Sequence, residues 1–226
     1  MGIRESICGV EERIAAACAR SGRRREDVRL VAISKTFPAE RVREAYEAGL
    51  REFGENRVQE AALKRPALAD LDIAWHLVGH LQTNKARHAR ELFQLVQSVD
   101  SLRIADKLDQ AASPGAGPQP VLLEVNLAGE EQKSGARETE AEEIADRVSR
   151  LVNLDLRGLM LIPPYCENPN DARPYFHRLR KLAEKLRAAG LPGIHELSMG
   201  MSHDFEAAIE EGATIIRVGT AIFGPR

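Results

Sequence analysis

Aromatic residues are scarce: Phe, Tyr and Trp together make 4% of the 226 residues, and Trp75 is the one tryptophan. Strands of all-β sandwiches draw heavily on aromatics, so that class loses ground. Cysteine is nearly absent. Cys8, Cys18 and Cys166 are an odd set of three without CxxC spacing, which argues against a disulfide framework and a structural zinc site and fits a reducing cytosol. Neither charge sign is in excess: 32 Lys and Arg face 34 Asp and Glu, for a net charge of -2, whereas a dedicated nucleic-acid binder is strongly basic. No apolar run approaches the ~18 residues of a membrane span. The amphipathic N-terminal stretch carries Glu5, Glu11 and Glu12, unlike the uninterrupted apolar centre of a secretory signal. A cytoplasmic protein with no nucleic-acid or membrane partner is expected. No linker or low-complexity tract divides the chain, so 1–226 reads as a single domain.

What is present is an alternation. Hydrophobic residues make up 43% of the chain, enough for a sizeable core. Short, nearly continuous apolar runs lie at 28–34 (VRLVAIS), 75–79 (WHLVG), 95–100 (LVQSVD), 121–126 (VLLEVN), 156–162 (LRGLMLI), 195–200 (HELSMG) and 214–219 (TIIRVG), with a weaker one at 52–55 (EFGE). Such runs read as strands covered on both faces. Between them the spacing predicts helices over 39–48, 58–68, 101–112 (with Ser101 as a candidate N-cap), 139–151, 170–189 and 204–211. One leading helix followed by eight strand-then-helix units predicts an α/β fold: a single (β/α)8 TIM barrel with an extra N-terminal helix. An open doubly wound sheet is the alternative, but no GxGxxG follows the first strand.

Function in such a barrel collects at the C-terminal strand ends. These ends are polar, small and ionisable: Ser34-Lys35-Thr36, Gly54-Glu55-Asn56, Gly79-His80, Asp100-Ser101, Asn126, Pro163-Pro164, Ser198-Met199-Gly200 and Arg217-Val218-Gly219-Thr220. Lys35 at the first strand's end is a candidate amine nucleophile, or else a lysine reaching solvent. The two final loops hold Gly200 and Ser202 ahead of a helix and the Gly219-Thr220 pair next door. This is the recurring phosphate position of barrel enzymes, although Ser202 alone also fits simple helix capping. Arg217 faces the interior if Ile216 and Val218 face the helices; otherwise it faces the helices and pairs with an acid such as Glu211. His76 and His80 are four apart on a strand, with no acidic or cysteine ligand near in sequence, so structural histidines are expected rather than a metal site. Glu55, Asn56 and Asn126 are candidate hydrogen-bonding residues. Cys166 reads as a bystander thiol.

Taken in order, AISKT (32–36), FGENRVQE (53–60), WHLVGHLQTNK (75–85), QSVDS (97–101), LLEVNLAGEEQKSG (122–135), GLMLIPP (158–164) and ELSMGMSHDFEAAIEEGATIIRVGTAIFG (196–224) resemble the pyridoxal 5'-phosphate (PLP) homeostasis proteins of the YggS/PROSC type over nearly the whole chain. The resemblance implies a barrel similar to the N-terminal domain of bacterial alanine racemase, with PLP across its mouth. It implies Lys35 as the Schiff-base lysine, and Ser202, Gly219 and Thr220 as the phosphate cradle with Ser198 and Gly200 nearby. It further implies Arg217 facing the pyridine nitrogen, and Asn56 and Asn126 lining the site. Arg57 stands where many members have tyrosine, and Leu77-Val78 replace a more usual Phe-Ile.

Three functions compete at this point. A PLP-binding homeostasis protein would hold and supply the cofactor to apoenzymes without catalytic turnover. A PLP-dependent amino-acid racemase would need a second proton donor opposite the lysine, for which Tyr165 is a weak candidate. An unrelated sugar-phosphate barrel enzyme would use Lys35 as its electrophile; the length of the resemblance disfavours it. Because the sequence ends just after the eighth strand, one face of the ligand is expected to stay open to water. The family resemblance implies a cytoplasmic monomer. Lys133, in the loop after the fifth strand, is a candidate relay amine for PLP release, against the plainer reading of a solvated lysine paired with Glu130 or Glu131.

Overall fold

Alternate residues of the strands sort into two apolar sets, and that division sets the architecture. The computed structural model describes residues 2–130, 132 and 134–225. Its strands are β1 (Arg29–Ile33), β2 (Glu52–Glu55), β3 (Ala74–Leu77), β4 (Leu95–Val99), β5 (Gln119–Asn126), β6 (Ala136–Arg137), β7 (Leu154–Met160), β8 (Glu196–Met201) and β9 (Ile215–Val218). Hydrogen bonding runs from β1 through β2, β3, β4, β5, β7, β8 and β9 back to β1, closing a parallel barrel. The two-residue β6 is an addition beside β5 that the sequence did not foretell.

The helices are α1 (Ile3–Arg20), α2 (Ala39–Glu47), α3 (Val58–Lys64), α4 (Ala86–Leu92), α5 (Leu102–Gln110), α6 (Ala141–Ser149), α7 (Arg173–Ala188), α8 (Phe205–Glu210) and α9 (Thr220–Phe223). They pack on the outward residues of the strands, among them Ala32, Phe53, Trp75, Leu77, Val121, Leu123, Ile216 and Val218. The inward set is smaller: Val31, Ile33, Val78, Leu95, Leu122, Met160 and Ile215 fill the barrel. Both faces are therefore apolar, and the strands read as continuous runs.

The predicted barrel with its extra N-terminal helix is present, with shifted boundaries. The helix expected over 58–68 ends as α3 at Lys64 and continues as a 3-10 turn, Arg65–Leu68, where Pro66 has no N–H to extend the α pattern. Ser101 occupies the N-cap position of α5, but its hydroxyl donates to Asp100 Oδ1 (3.0 Å) rather than accepting from the helix. Helix α1 buries Ile3, Ile7, Val10, Ile14, Ala17 and Cys18 and packs on α8 and α9. Arg13 lies 4.5 Å over the Phe205 ring and pairs with Glu206 at 2.8 Å. Arg23 donates to the carbonyls of Ile209 (2.9 Å) and Ala213 (2.7 Å), which ties the end of α8 and the turn after it to the segment that follows α1. The leading helix thus braces the segment that follows β8.

Candidate functional site at the barrel mouth

Side chains alternate along a strand, so each inward series can be followed to the strand's C-terminal end. Arg29, Val31 and Ile33 lead to Lys35. Glu52 and Gly54 lead to Asn56, Leu122 and Glu124 to Asn126, Glu196 and Ser198 to Gly200, and Ile215 and Arg217 to Gly219. The strand-end residues are the rim of the barrel's interior. A cavity of about 160 Å³ opens there, lined by Val78, Gly79, His80, Glu124, Asn126 and Ile162 among others.

Arg217 lies inside the barrel, 3% exposed. It donates to Ser198 Oγ (2.6 Å) and to the Leu161 carbonyl (2.8 Å). Its neighbours Ile216 and Val218 face the helices, and Glu211 pairs instead with Arg173, His177 and Arg180, so the outward alternative is set aside. Burial lowers the guanidinium's pKa to about 10 while Glu124 and Asp204 pull it upward. It is therefore cationic at neutral pH and can only donate.

A chain of hydrogen bonds continues downward from Arg217. Ser198 Oγ donates to Gln97 Oε1 (2.6 Å), so the Gln97 amide nitrogen faces His76 Nδ1 (2.9 Å). That bond makes Nδ1 an acceptor and puts the His76 proton on Nε2, 3.2 Å from Glu52. At the barrel floor Arg29 approaches Glu196 (2.7 Å) and Glu52 (3.9 Å) as ion pairs rather than aligned hydrogen bonds. Sequence reasoning missed Gln97, whose meaning lies in a partner on another strand. It also placed no acid near the histidines, whereas the fold brings Glu52 to His76 and Asp100 to His80 (3.0 Å).

The loops after β8 and β9 meet through Ser202. Its hydroxyl accepts from the backbone N–H of Gly219 (3.1 Å) and Ala221 (3.3 Å). Ser202 is therefore no helix cap; Asp204 holds that place in α8, and its carboxylate accepts from Met201 N (2.6 Å). Gly200 has φ +92°, and a Cβ there would lie 2.6 Å from Ala208 Cβ and 2.9 Å from Phe205 Cα. Only glycine lets this turn pack directly on α8. Thr220 is exposed at the start of α9.

Lys35 is half-buried at the end of β1, followed by Thr36 at φ +69°, the one non-glycine residue with positive φ among those described. For a β-branched residue this conformation costs on the order of 1–3 kcal/mol and persists only where its surroundings hold it. Thr36 N donates to Glu60 Oε2 (3.1 Å). The Ser34 carbonyl accepts from Lys64 Nζ (2.7 Å), and the Ser34 hydroxyl donates to Glu55 Oε1 (2.6 Å). Glu55 thus faces outward under α3 and does not line the site.

Asn56 is half-buried at the rim, its backbone carbonyl packed where a Cβ on Gly79 would stand. Asn126 uses its side chain on its own loop, donating to the Glu130 carbonyl (2.8 Å) and accepting from Gly129 N (3.0 Å). Tyr165 is 82% exposed and stacks on His203 with ring centroids 5.8 Å apart. The Cys166 thiol approaches the Pro164 carbonyl at 3.6 Å. Lys133 lies outside the described residues. The sequence reading also passed over Glu124, although it stands two residues before Asn126 on the inward face.

The closed parallel barrel carries a primary amine beyond one strand end and clustered N–H donors beyond its neighbour, and residues 11–226 match the family model "Alanine racemase, N-terminal domain". The chain belongs to that family. Within it, the chain is 47% identical over 222 residues to the pyridoxal phosphate homeostasis protein of Aquifex aeolicus, covering 98% of this chain and 97% of the relative. It is 48% identical over 224 residues to the Pseudomonas aeruginosa protein of the same name, covering 99% and 96%. The structure of PipY from Synechococcus elongatus, solved with PLP bound, superposes with a TM-score of 0.84 at 42% identity, covering 95% of this chain and 100% of PipY. Alanine racemase of Clostridium difficile superposes with a TM-score of 0.72 at 16% identity, covering 100% of this chain and 57% of the racemase, which is a likeness of fold alone.

Proposed function

We propose that this chain binds PLP across the barrel mouth, held on Lys35, and takes part in vitamin B6 homeostasis as a carrier that supplies apoenzymes rather than as a catalyst. The observation that carries the reading is a juxtaposition. The pairing of β1 with β9 sets Val31 opposite Arg217 and Ala32 opposite Val218, so the amine of Lys35 and the Gly219 N–H stand just beyond the ends of two hydrogen-bonded strands, one of which carries the guanidinium of Arg217.

The donor set fits the cofactor's chemistry. The N–H groups of Gly219 and Ala221 converge on one oxygen, the Ser202 hydroxyl, and a phosphate oxygen at the same place would meet the same donors. Arg217 is a fixed donor to a neutral ring nitrogen and has no proton acceptor to offer it. When bound, PLP supplies an aldehyde that condenses with a primary amine and releases water. Lys35 provides that amine, Ser198 and the Leu161 carbonyl orient Arg217, and Asn56 lines the rim. Asn126 shapes the rim by bracing the loop after β5.

The homeostasis names of the relatives and the PLP in PipY support the cofactor and the role. The proposal extends to a cytoplasmic monomer. Exposed large apolar side chains among the described residues are Leu63, Val152 and Tyr165, each on a different segment. The test is borohydride reduction of the protein loaded with PLP, followed by peptide mapping. Modification at Lys35 and its loss in Lys35→Ala are expected, with the fold retained. Modification at another lysine while Lys35 stays unmodified overturns the assignment, and steady racemisation of any common amino acid overturns the carrier reading.

A further inference from the structure

The residues on both sides of Lys35 are held by side chains that never enter the barrel. Ser34 is held at its carbonyl by Lys64 Nζ (2.7 Å) and at its hydroxyl by Glu55 Oε1 (2.6 Å), and these two side chains are themselves paired at 2.6 Å. The Ser34 carbonyl also receives the Phe37 N–H (3.1 Å), which closes the turn around Lys35. On the other side Thr36 N is held by Glu60 Oε2 at 3.1 Å. Glu55 is fully buried, and the Lys64 side chain is 11% exposed. We propose that the Glu55–Lys64 pair, with Glu60, is the positioning apparatus of Lys35: it locks the left-handed turn at Thr36 and so aims the amine at the cofactor's aldehyde. The proposal rests on PLP binding at Lys35.

Stability alone is a poor reason for such a pair. Two charges taken out of water are commonly replaced by apolar side chains of similar volume with little loss or even a gain. The pair is also incompletely satisfied, since Glu55 Oε2 is buried without a hydrogen-bond partner. Burial pushes the Glu55 carboxyl up, and the hydrogen bonds from Lys64 and Ser34 pull it back. What an apolar pair cannot do is hold the Ser34 carbonyl and hydroxyl together. The carbonyl contact fixes the plane of the peptide that precedes Lys35, the hydroxyl contact ties Ser34 to the same ion pair, and the Glu60 contact fixes the peptide that precedes Thr36. With both peptide planes set and φ at Thr36 fixed at +69°, the Lys35 side chain leaves the strand on the inward face. Condensation of an amine with an aldehyde depends steeply on approach geometry, so a misplacement of about 1 Å costs up to about 10²-fold in rate.

The experiment measures capture of PLP by the cofactor-free protein, with borohydride-trapped adduct at Lys35 followed against time and PLP concentration. The double variant Glu55→Leu/Lys64→Met removes both charges while keeping volume, and Glu60→Ala releases Thr36 from a partly exposed position. The plateau rate is expected to fall about 10- to 100-fold in the double variant and several-fold in Glu60→Ala. The half-saturating PLP concentration, set by the phosphate loops, is expected to stay within about twofold, and the unfolding midpoint of Glu60→Ala is expected to be unchanged. A purely structural role would raise half-saturation and lower the unfolding midpoint together. Folded variants with the parental plateau rate overturn the proposal. Should the double variant fail to fold, Glu60→Ala alone decides between these outcomes. Absence of any Lys35 adduct in the parent protein overturns the functional reading, and this inference with it.

Discussion

Glu124 is a buried carboxyl whose charge bears directly on pH behaviour. It is 5% exposed on the inner face, where burial and repulsion from Asp100 push its carboxyl up to about 7 against the pull of Arg217. The folded protein thus keeps a proton that the unfolded chain releases near its ordinary value of about 4.3. Stability from this group is present below that value and is lost as pH rises from about 4.3 to 7. Glu124→Gln is expected to gain roughly 1–3 kcal/mol over the parent at pH 8 and nothing at pH 4, measured by urea unfolding at the two pH values. A second expectation concerns Ser202. Its removal leaves the N–H groups of Gly219 and Ala221 in place, so Ser202→Ala should weaken PLP binding only modestly, by about 1 kcal/mol in a titration. Pyridoxal without phosphate should bind far more weakly than PLP to either protein, because charge-assisted bonds of roughly 1.5–3 kcal/mol each are lost. Part of this site was legible in the sequence because strands alternate: Lys35 and Arg217 stood out as strand-end candidates, although the direction of Arg217 was settled only by Ile216 and Val218 packing on the helices. Lys64, Gln97 and Glu52 could not, since each acts through a partner on another element. Asn126 was legible as a strand-end amide but not as one bound to its own loop.

At the scale of elements, β7 and β8 approach too closely for side chains at one point. A Cβ on Gly158 would stand 1.9 Å from the Glu196 carbonyl oxygen and 2.6 Å from its carbon, and both belong to backbone that cannot yield cheaply. Gly158→Ala is expected to cost about 3 kcal/mol, read from denaturant midpoints, by prising apart the strands that lead to Leu161 and carry Ser198. The strands were the readable elements, because a short, near-continuous apolar run bounded by polar turns suits a doubly covered strand better than a surface helix. Shorter helices were harder. Seven-residue α4 and four-residue α9 were not singled out, since one turn or two carry little periodicity. The split at Arg65 was readable in principle from Pro66, yet the apolar pattern ran past it to Leu68.

For the whole molecule, the first and last barrel strands are neighbours, joined by the pairing of Arg29 with Ile215 through Ala32 with Val218. The closed barrel was legible because eight strand-then-helix units leave no edge to cover; the polar chain through its middle was not, because it forms only on closure. PLP bound to the native state alone should stabilise the protein by about 2.7 kcal/mol at a hundred times its dissociation constant. A thermal melt with and without PLP should show this in the parent and a smaller shift in Lys35→Ala. The seam between β1 and β9 has a further consequence. Pairing the two ends of the barrel demands the costliest loop closure in the chain. An amine from the first strand and N–H donors from beyond the last therefore come within reach of one ligand only after every intervening strand has found its place. A half-assembled chain has no complete pocket, so competence to take up the cofactor arises only once the seam between the first and last strands has closed.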